Sequence, residues 1–192
     1  MVVRDAGSRL APVPEAPLEE EGSGLAPGGD GWFVVNVQDA AWLTEDSRGS
    51  VCVFEGPKAW FPQLGFRLCV LEPDQRNALY HSENQQESFL VLAGECRLLV
   101  EDEERLLRPW DFFHCPAGTP HVFVGAGVGP CVIVMAGARI NDEELHYPVS
   151  ELAARYGASV TEETSDPKRA YAGDGEPNLK RPSRWDSLPW AR

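Results

Sequence analysis

Short apolar runs separated by polar turn residues dominate the middle of the chain. The clearest are "SVCVF" (50–54), "SFLVL" (88–92) and "CVIVM" (131–135), all rich in β-branched or aromatic side chains. Gly, Pro and acidic residues lie between the runs, and no helical periodicity intervenes. This pattern is typical of an antiparallel sandwich or barrel, so it predicts an all-β fold.

Several of these runs are apolar on both faces of the predicted strand. "SFLVL" and "CVIVM" are the clearest cases. A barrel interior covers one face of such a strand, and a second sheet, a tail or another subunit must cover the other. We therefore predict a homodimer in which the strand predicted for "WFVVNV" (32–37) or the tryptophan-containing C-terminal tail crosses to the partner.

The flanking segments have a different composition from the centre. Residues 1–30 are rich in Pro, Gly and Glu and lack aromatic residues. They cannot bury enough apolar area to offset their ordering entropy, so a disordered N-terminal arm is predicted. Residues 31–147 are expected to form the barrel. Residues 148–192 are expected to form short helices and a docking tail, because "PVSELAARYG" has helix start and stop signals and the tryptophans near residue 190 would be exposed if that segment did not dock.

The charge and the cysteines narrow the classes of partner and compartment. The net charge of −13 disfavours binding to nucleic acid or to a membrane surface, because both are anionic. The five cysteines include no C-x-x-C pair and are interpreted as buried free thiols of a reducing compartment. The sequence shows neither a secretory signal nor an apolar stretch of membrane-spanning length, so a cytoplasmic location is predicted.

A histidine and two carboxylates share one face of the predicted strand that begins near residue 81. His81, Glu83 and Glu87 have the same parity as Phe89, which places all four side chains on one face of an extended chain. His121 follows the turn "PAGTP" at the head of a later strand. Two neutral imidazoles with one or two carboxylates suit a divalent transition metal, such as Fe, Mn, Zn or Ni. Glu83 is either a fourth ligand or a solvated carboxylate near the metal.

Further side chains are candidates for a substrate pocket beside this cluster. Gln85 shares the parity of the ligands and could touch a substrate. Phe89 and Phe123 line the pocket or fill the core. His114, in "FFHCP", is either near the ligands or a core or interface histidine.

The two short motifs together resemble those of the cupin superfamily. The first is "HSENQQE" followed by a glycine, and the second is "PAGTPH". The matching positions lie between residues 65 and 140, and they are His81, Glu87, Gly94, Pro116, Gly118 and His121. Glu83 stands where the family usually has a second histidine. The resemblance implies a double-stranded β-helix, or jelly-roll barrel, that is often dimeric and often binds a metal.

Several classes of function are compatible with such a protein, because one fold hosts many activities. The first hypothesis is a metal-dependent enzyme, an oxygenase or an isomerase or lyase, acting on a small polar organic molecule. Glu83 and Glu87 would then be candidates for proton transfer. The alternatives are a non-catalytic module that binds a small ligand and a metal-free structural dimer.

Overall fold

Antiparallel pairing of short strands organises the chain. The computed structural model describes residues 11–56, 58–139 and 142–191. The strands are β1 (Leu18–Glu21), β2 (Gly24–Pro27), β3 (Trp42–Glu45), β4 (Gly49–Cys52), β5 (Leu64–Leu71), β6 (Ser82–Glu83), β7 (Glu87–Ala93), β8 (Glu95–Val100), β9 (Glu103–Leu107), β10 (Phe112–Cys115), β11 (His121–Ala126), β12 (Cys131–Ala138), β13 (Leu145–His146) and β14 (Asn178–Leu179). Two short helices, α1 (Glu151–Ala154) and α2 (Pro167–Ala170), and two 3-10 turns (Trp185–Ser187 and Pro189–Ala191) follow the barrel.

Two sheets form the barrel. The larger has the strand order β10-β7-β12-β5-β4-β3-β14, and the smaller has the order β11-β8-β9. The pair β13–β6 and the hairpin β1–β2 are separate. Strands far apart in sequence are neighbours in the large sheet, as in a jelly roll. The all-β prediction and the double-stranded β-helix fold are confirmed.

Alternating side chains of the strands fill the space between the two sheets. Phe89 and Val91 of β7 point inward, as the parity of the sequence predicts, and both are buried. Facing them from the small sheet are Leu98 of β8 and Phe123 of β11. This apolar cluster forms the floor on which the polar residues at one end of the barrel rest.

The C-terminal segment covers the outer faces of both sheets. On the large sheet, Trp42 stacks against Trp190 with ring centroids 5.4 Å apart, and Leu188 beside them is only 1% exposed. On the small sheet, Val122 and Val124 pack under Ala153 of α1. The cover required by the two-faced strands is therefore supplied within the chain, whereas the sequence predicts that the "WFVVNV" segment or the C-terminal tail crosses to a partner.

The N-terminal segment differs from the prediction of a disordered arm over residues 1–30. Residues 1–10 lie outside the described part, but residues 18–27 form the hairpin β1–β2. The backbone N–H of Leu25 donates to the carbonyl of Asp39 at 2.7 Å, and that of Ala41 donates to the carbonyl of Leu25 at 2.8 Å. These backbone partners order the hairpin. They are distant in sequence, so the composition of residues 1–30 does not predict them.

Two further local expectations are wrong. The run "WFVVNV" is not a strand, since only Trp32 pairs, through an isolated bridge to Glu15. The stretch "DAAWL" (39–43), whose sequence also allows a capped helical turn, leads into strand β3 instead. Among the described residues, no helix combines the length and the apolar character needed to cross a membrane.

Candidate metal centre

One end of the barrel holds a cavity of about 390 Å³. Its polar wall brings together the four predicted metal ligands, which are His81, Glu83, Glu87 and His121. The strands explain this convergence. An antiparallel bridge pairs His81 with His121, and their backbones exchange two hydrogen bonds of 3.2 and 2.9 Å. Residues separated by forty positions in sequence thus face each other directly.

Each histidine has one ring nitrogen fixed by a backbone carbonyl. Nδ1 of His81 lies 2.7 Å from the carbonyl oxygen of Leu79, and Nδ1 of His121 lies 3.1 Å from that of Thr119. A carbonyl can only accept a hydrogen bond, so both Nδ1 atoms carry the hydrogen and donate. In the neutral rings, Nε2 is then a lone-pair donor available for a metal.

The two Nε2 atoms face carboxylates. His81 Nε2 lies 3.4 Å from Glu83 Oε1, and His121 Nε2 lies 3.4 Å from Glu87 Oε2. A neutral Nε2 and an ionised carboxylate are both acceptors, so each pair needs a proton or a cation between its members. A metal ion would satisfy both pairs together, and the donor set of nitrogen and oxygen suits a divalent transition metal.

A second group of potential ligand atoms includes a cysteine that is not among the ligands predicted from the sequence. Glu87, Cys115 and His121 offer atoms within 4.8 Å of one another, as do His81, Glu83 and Glu87. Cys115 Sγ lies 3.4 Å from His121 Nδ1, the nitrogen already bound to Thr119. The thiol is therefore on the side of the ring opposite Nε2. Burial raises its pKa to about 12, which keeps it protonated.

Burial dominates the acid–base state of Glu87 and His121. Desolvation, with the charge of Glu83 added, raises the pKa of Glu87 to about 7. Desolvation, with the charge of His81 added, lowers the pKa of His121 to about 4. Both shifts favour the uncharged form, which is the usual response of buried groups that have no counter-ion.

His81 and Glu83 behave as a pair with opposite charges. Burial acts to lower the pKa of His81, but the hydrogen bond and the charge of Glu83 outweigh it and raise that pKa. Burial acts to raise the pKa of Glu83, but the hydrogen bond and the charge of His81 lower it. Each member of the pair thus stabilises the charged form of the other.

Two tyrosines of the C-terminal segment complete the wall of the cavity. The ring of Tyr147 stacks on His81 with centroids 5.6 Å apart and an interplanar angle of 22°. Tyr171 packs edge-on against Tyr147, and its hydroxyl accepts a hydrogen bond of 3.1 Å from the backbone N–H of Leu79. Sequence reasoning does not select either residue, because no local pattern marks them.

The structure places only some of the predicted pocket residues at the cavity. Phe89 lines the cavity. Phe123, whose ring centroid is 4.7 Å from that of Phe89, is buried in the core beneath and does not line the cavity. Gln85 is buried but also does not line the cavity. His114 is exposed on β10, because that position of the edge strand faces outward, so it is not a pocket residue. Tyr80, whose position next to His81 gives it the opposite parity, faces away from the ligands and packs on the outer cluster with Ala153.

A comparison with known families decides the classification. Residues 67–137 match the family model described as "Cupin domain". These residues form a cupin domain. The match includes Glu87 and His121 as well as His81, so the candidate metal centre lies within the cupin motifs.

Solved structures similar to the chain include two sugar phosphate isomerases. One, described as putative, is from Acidithiobacillus ferrooxidans, with 25% identity over 43% of this chain and 55% of that chain and a TM-score of 0.42. The other, from Silicibacter pomeroyi, has 26% identity over 62% of this chain and 74% of that chain and a TM-score of 0.49. A polyketide cyclase from Streptomyces resistomycificus has 16% identity over 55% of this chain and 78% of that chain, with a TM-score of 0.48.

The aligned region spans only about half of the Acidithiobacillus protein, at 55% of its length. A search of curated proteins found no match.

Proposed function

We propose that the cupin domain binds one divalent transition metal and serves as a metal-dependent enzyme for a small polar organic molecule. His81, Glu87 and His121 would hold the metal, with Glu83 as a fourth ligand or as an acid beside it. The single observation that carries the proposal is the pairing of each Nε2 with a carboxylate oxygen at 3.4 Å, with each Nδ1 committed to a carbonyl.

The ligand set restricts the choice of metal without naming it. His81, Glu87 and His121 around a divalent ion leave a net charge of +1, and ionised Glu83 makes the centre neutral. Mixed imidazole and carboxylate ligands suit Fe, Mn, Ni or Zn. The thiol of Cys115 lies on the side of the His121 ring opposite Nε2, so the centre has the character of a nitrogen and oxygen site.

A bound metal would supply Lewis acidity or activation of oxygen. The chain itself supplies the remaining parts. Phe89 and Met135 form an apolar floor to the cavity, which limits the water around a bound molecule. Glu83 and Glu87 are the groups that can take up or release a proton at their carboxylate oxygens. Burial and the charge of Glu83 raise the pKa of Glu87 to about 7 without a metal, and a bound cation would lower that pKa again.

The first experiment is elemental analysis of protein purified without chelators or a metal-affinity tag. We expect about one Fe, Mn, Ni or Zn per wild-type chain and a loss of that metal in His121→Ala. The matched control is His114→Ala, because His114 is an exposed histidine of the neighbouring strand. Absence of metal from the wild type, even after reconstitution, would overturn the proposal.

The reaction class follows from a second measurement on the loaded protein. Turnover that requires iron and dioxygen indicates an oxygenase, whereas turnover with redox-inert metals indicates an isomerase or lyase. Saturable binding of a small molecule with no turnover would instead support the non-catalytic binding module. A folded, metal-free dimer would support the structural alternative.

We also propose a homodimer and a cytoplasmic location. Trp110 and Phe112, next to and within edge strand β10, are 74% and 64% exposed, and contact with a second copy would bury them. The five free and buried cysteines fit a reducing compartment.

A further inference from the structure

Three arginines line the cavity, and two of them are already paired. Arg48 lies 3.3 Å from the carboxylate of Asp174, and Arg139 lies 2.6 Å from that of Glu55. Within the described ranges, Arg67 has no hydrogen-bond or ion-pair partner. Its guanidinium is therefore the cavity's available cation for an anionic group.

Arg67 lies on the cavity side of β5. In the sheet register it is opposite Met135, which is in turn opposite Phe89, and residues in register share a face of the sheet. Cys69, two positions along β5, lies in the barrel interior, which fixes the direction of this face. The sequence alone leaves that direction open for Arg67.

The guanidinium and the candidate ligands lie on opposite sides of an open floor. Two strand spacings separate the backbones of Arg67 and Phe89, which is about 10 Å. In the next row of the same face, Gly137 lies beside Glu87, where an added Cβ would come 3.6 Å from the Glu87 Cγ. The glycine leaves room beside the carboxylate for part of a bound molecule. Phe89 and Met135 provide apolar contact between the two polar ends.

The electrostatics connect the two ends of the cavity. The positive charge of Arg67 lowers the pKa of both Glu83 and Glu87, although burial and other charges have larger effects on these groups. A divalent cation would neutralise the charges of Glu83 and Glu87. These carboxylates would then no longer compensate the positive charge of Arg67. Glu143, exposed at the rim, is the remaining acid that lines the cavity. A local cation of this kind allows an acidic protein of net charge −13 to bind an anion.

We propose that the cavity binds a small organic anion whose carboxylate or phosphate group pairs with Arg67 while its other end is directed at the histidine and carboxylate cluster. This inference rests on the proposed function for what happens at the cluster, but the pairing with Arg67 can be tested without it. A planar guanidinium binds either type of anionic group through two parallel hydrogen bonds.

The test uses calorimetric titration of the full chain with malonate, with inorganic phosphate and with malonamide as the neutral analogue of malonate. The metal content of each sample is measured first. We expect at least one anion to bind and malonamide not to bind. Arg67→Gln should weaken anion binding roughly tenfold or more, as expected for a lost charge-assisted hydrogen bond. The matched control is Arg108→Gln, an exposed arginine that does not line the cavity.

The outcomes separate the two proposals. Tighter binding of malonate than of phosphate assigns a carboxylate, and the reverse assigns a phosphate. If the chain carries metal but Arg67→Gln binds the anions as well as the wild type does, the Arg67 proposal is overturned and the metal site stands. If the chain takes up no metal but binds an anion through Arg67, the proposed function fails and the anion site stands. If neither anion binds the wild type, the Arg67 proposal is overturned.

Discussion

His81 is held in place by residues that are distant from it in the sequence. Its Nδ1 donates to the carbonyl of Leu79, and the N–H of Leu79 donates to the hydroxyl of Tyr171. Tyr147 stacks on its ring. The direction of the Nε2 lone pair is thus fixed from two sides, and both supports come from the segment that follows the cupin match.

Removing the Tyr171 hydroxyl should weaken metal binding. Tyr171→Phe keeps the ring but leaves the Leu79 N–H unpaired, so the segment carrying His81 can move. Loss of outer supports of this kind costs about tenfold or more in metal affinity. A competition titration with a metal-binding dye would measure the dissociation constant. Tyr156→Phe is the control, because the Tyr156 hydroxyl donates to an exposed carboxylate, that of Glu104, far from the candidate ligands. Equal dissociation constants for the Tyr171 variant and wild type would contradict the positioning role.

Two motif glycines have positive φ angles but different surroundings. Gly94, in the turn between β7 and β8, has φ +69°, and an added Cβ would lie 2.2 Å from the carbonyl oxygen of Pro130. Gly118 has φ +80°, and no atom of the described residues is within 4 Å of its added Cβ. The first must be glycine for both conformation and space, and the second for conformation alone.

The glycine pair gives a prediction about stability. Gly118→Ala should lower the free energy of unfolding by about 1 kcal/mol, which is the cost of a left-handed alanine. Gly94→Ala should cost more, on the order of 3 kcal/mol, because the backbone must also shift. Urea unfolding followed by circular dichroism would measure both. Equal losses would show that the contact with Pro130 is readily relieved.

Individual elements explain what the sequence can and cannot predict. Strands β7 and β11 are evident from alternation and turn residues, and the two motifs at their heads locate Glu87 and His121. The hairpin β1–β2 is missed because its order depends on backbone contacts to residues 39–41. Tyr147 and Tyr171 are missed because they act through tertiary packing, and Arg67 remains ambiguous because parity does not say which face is inward.

The 3-10 turns at the end of the chain function as a covering element for the large sheet. Leu188 is 1% exposed there and packs in one cluster with Trp42. Leu188→Ala should lower the free energy of unfolding by about 2–5 kcal/mol, because it leaves a cavity in a packed region. Denaturant unfolding would measure the loss. Leu179→Ala, at a position 46% exposed, is the control and should change it by less than about 1 kcal/mol. A small effect of Leu188→Ala would mean that the tail detaches readily.

At the scale of the whole molecule, edge strand β10 is the contact surface of the proposed dimer. Trp110 and Phe112 expose apolar surface beside a strand whose outer edge is unpaired in the described part of the chain. Phe112→Asp should therefore convert a dimer to a monomer, because a buried carboxylate at the contact is costly. Light scattering at micromolar concentration would report the mass. Val128→Asp, in a turn and 96% exposed, should leave the dimer intact. A monomeric wild type would refute the dimer.

The support of His81 by Tyr171 has a consequence for the order of events during synthesis. A ribosome makes all four candidate ligands before it makes Tyr171. The nascent chain therefore presents a complete set of ligand atoms before the Tyr171 hydroxyl can bond to Leu79 and orient His81. Capture of the metal by a growing chain would therefore be weak, and selection of the correct ion would be left to the finished protein. Loading would then depend on the ions available after release, which makes the supply of metal in the cell as important as the residues that bind it.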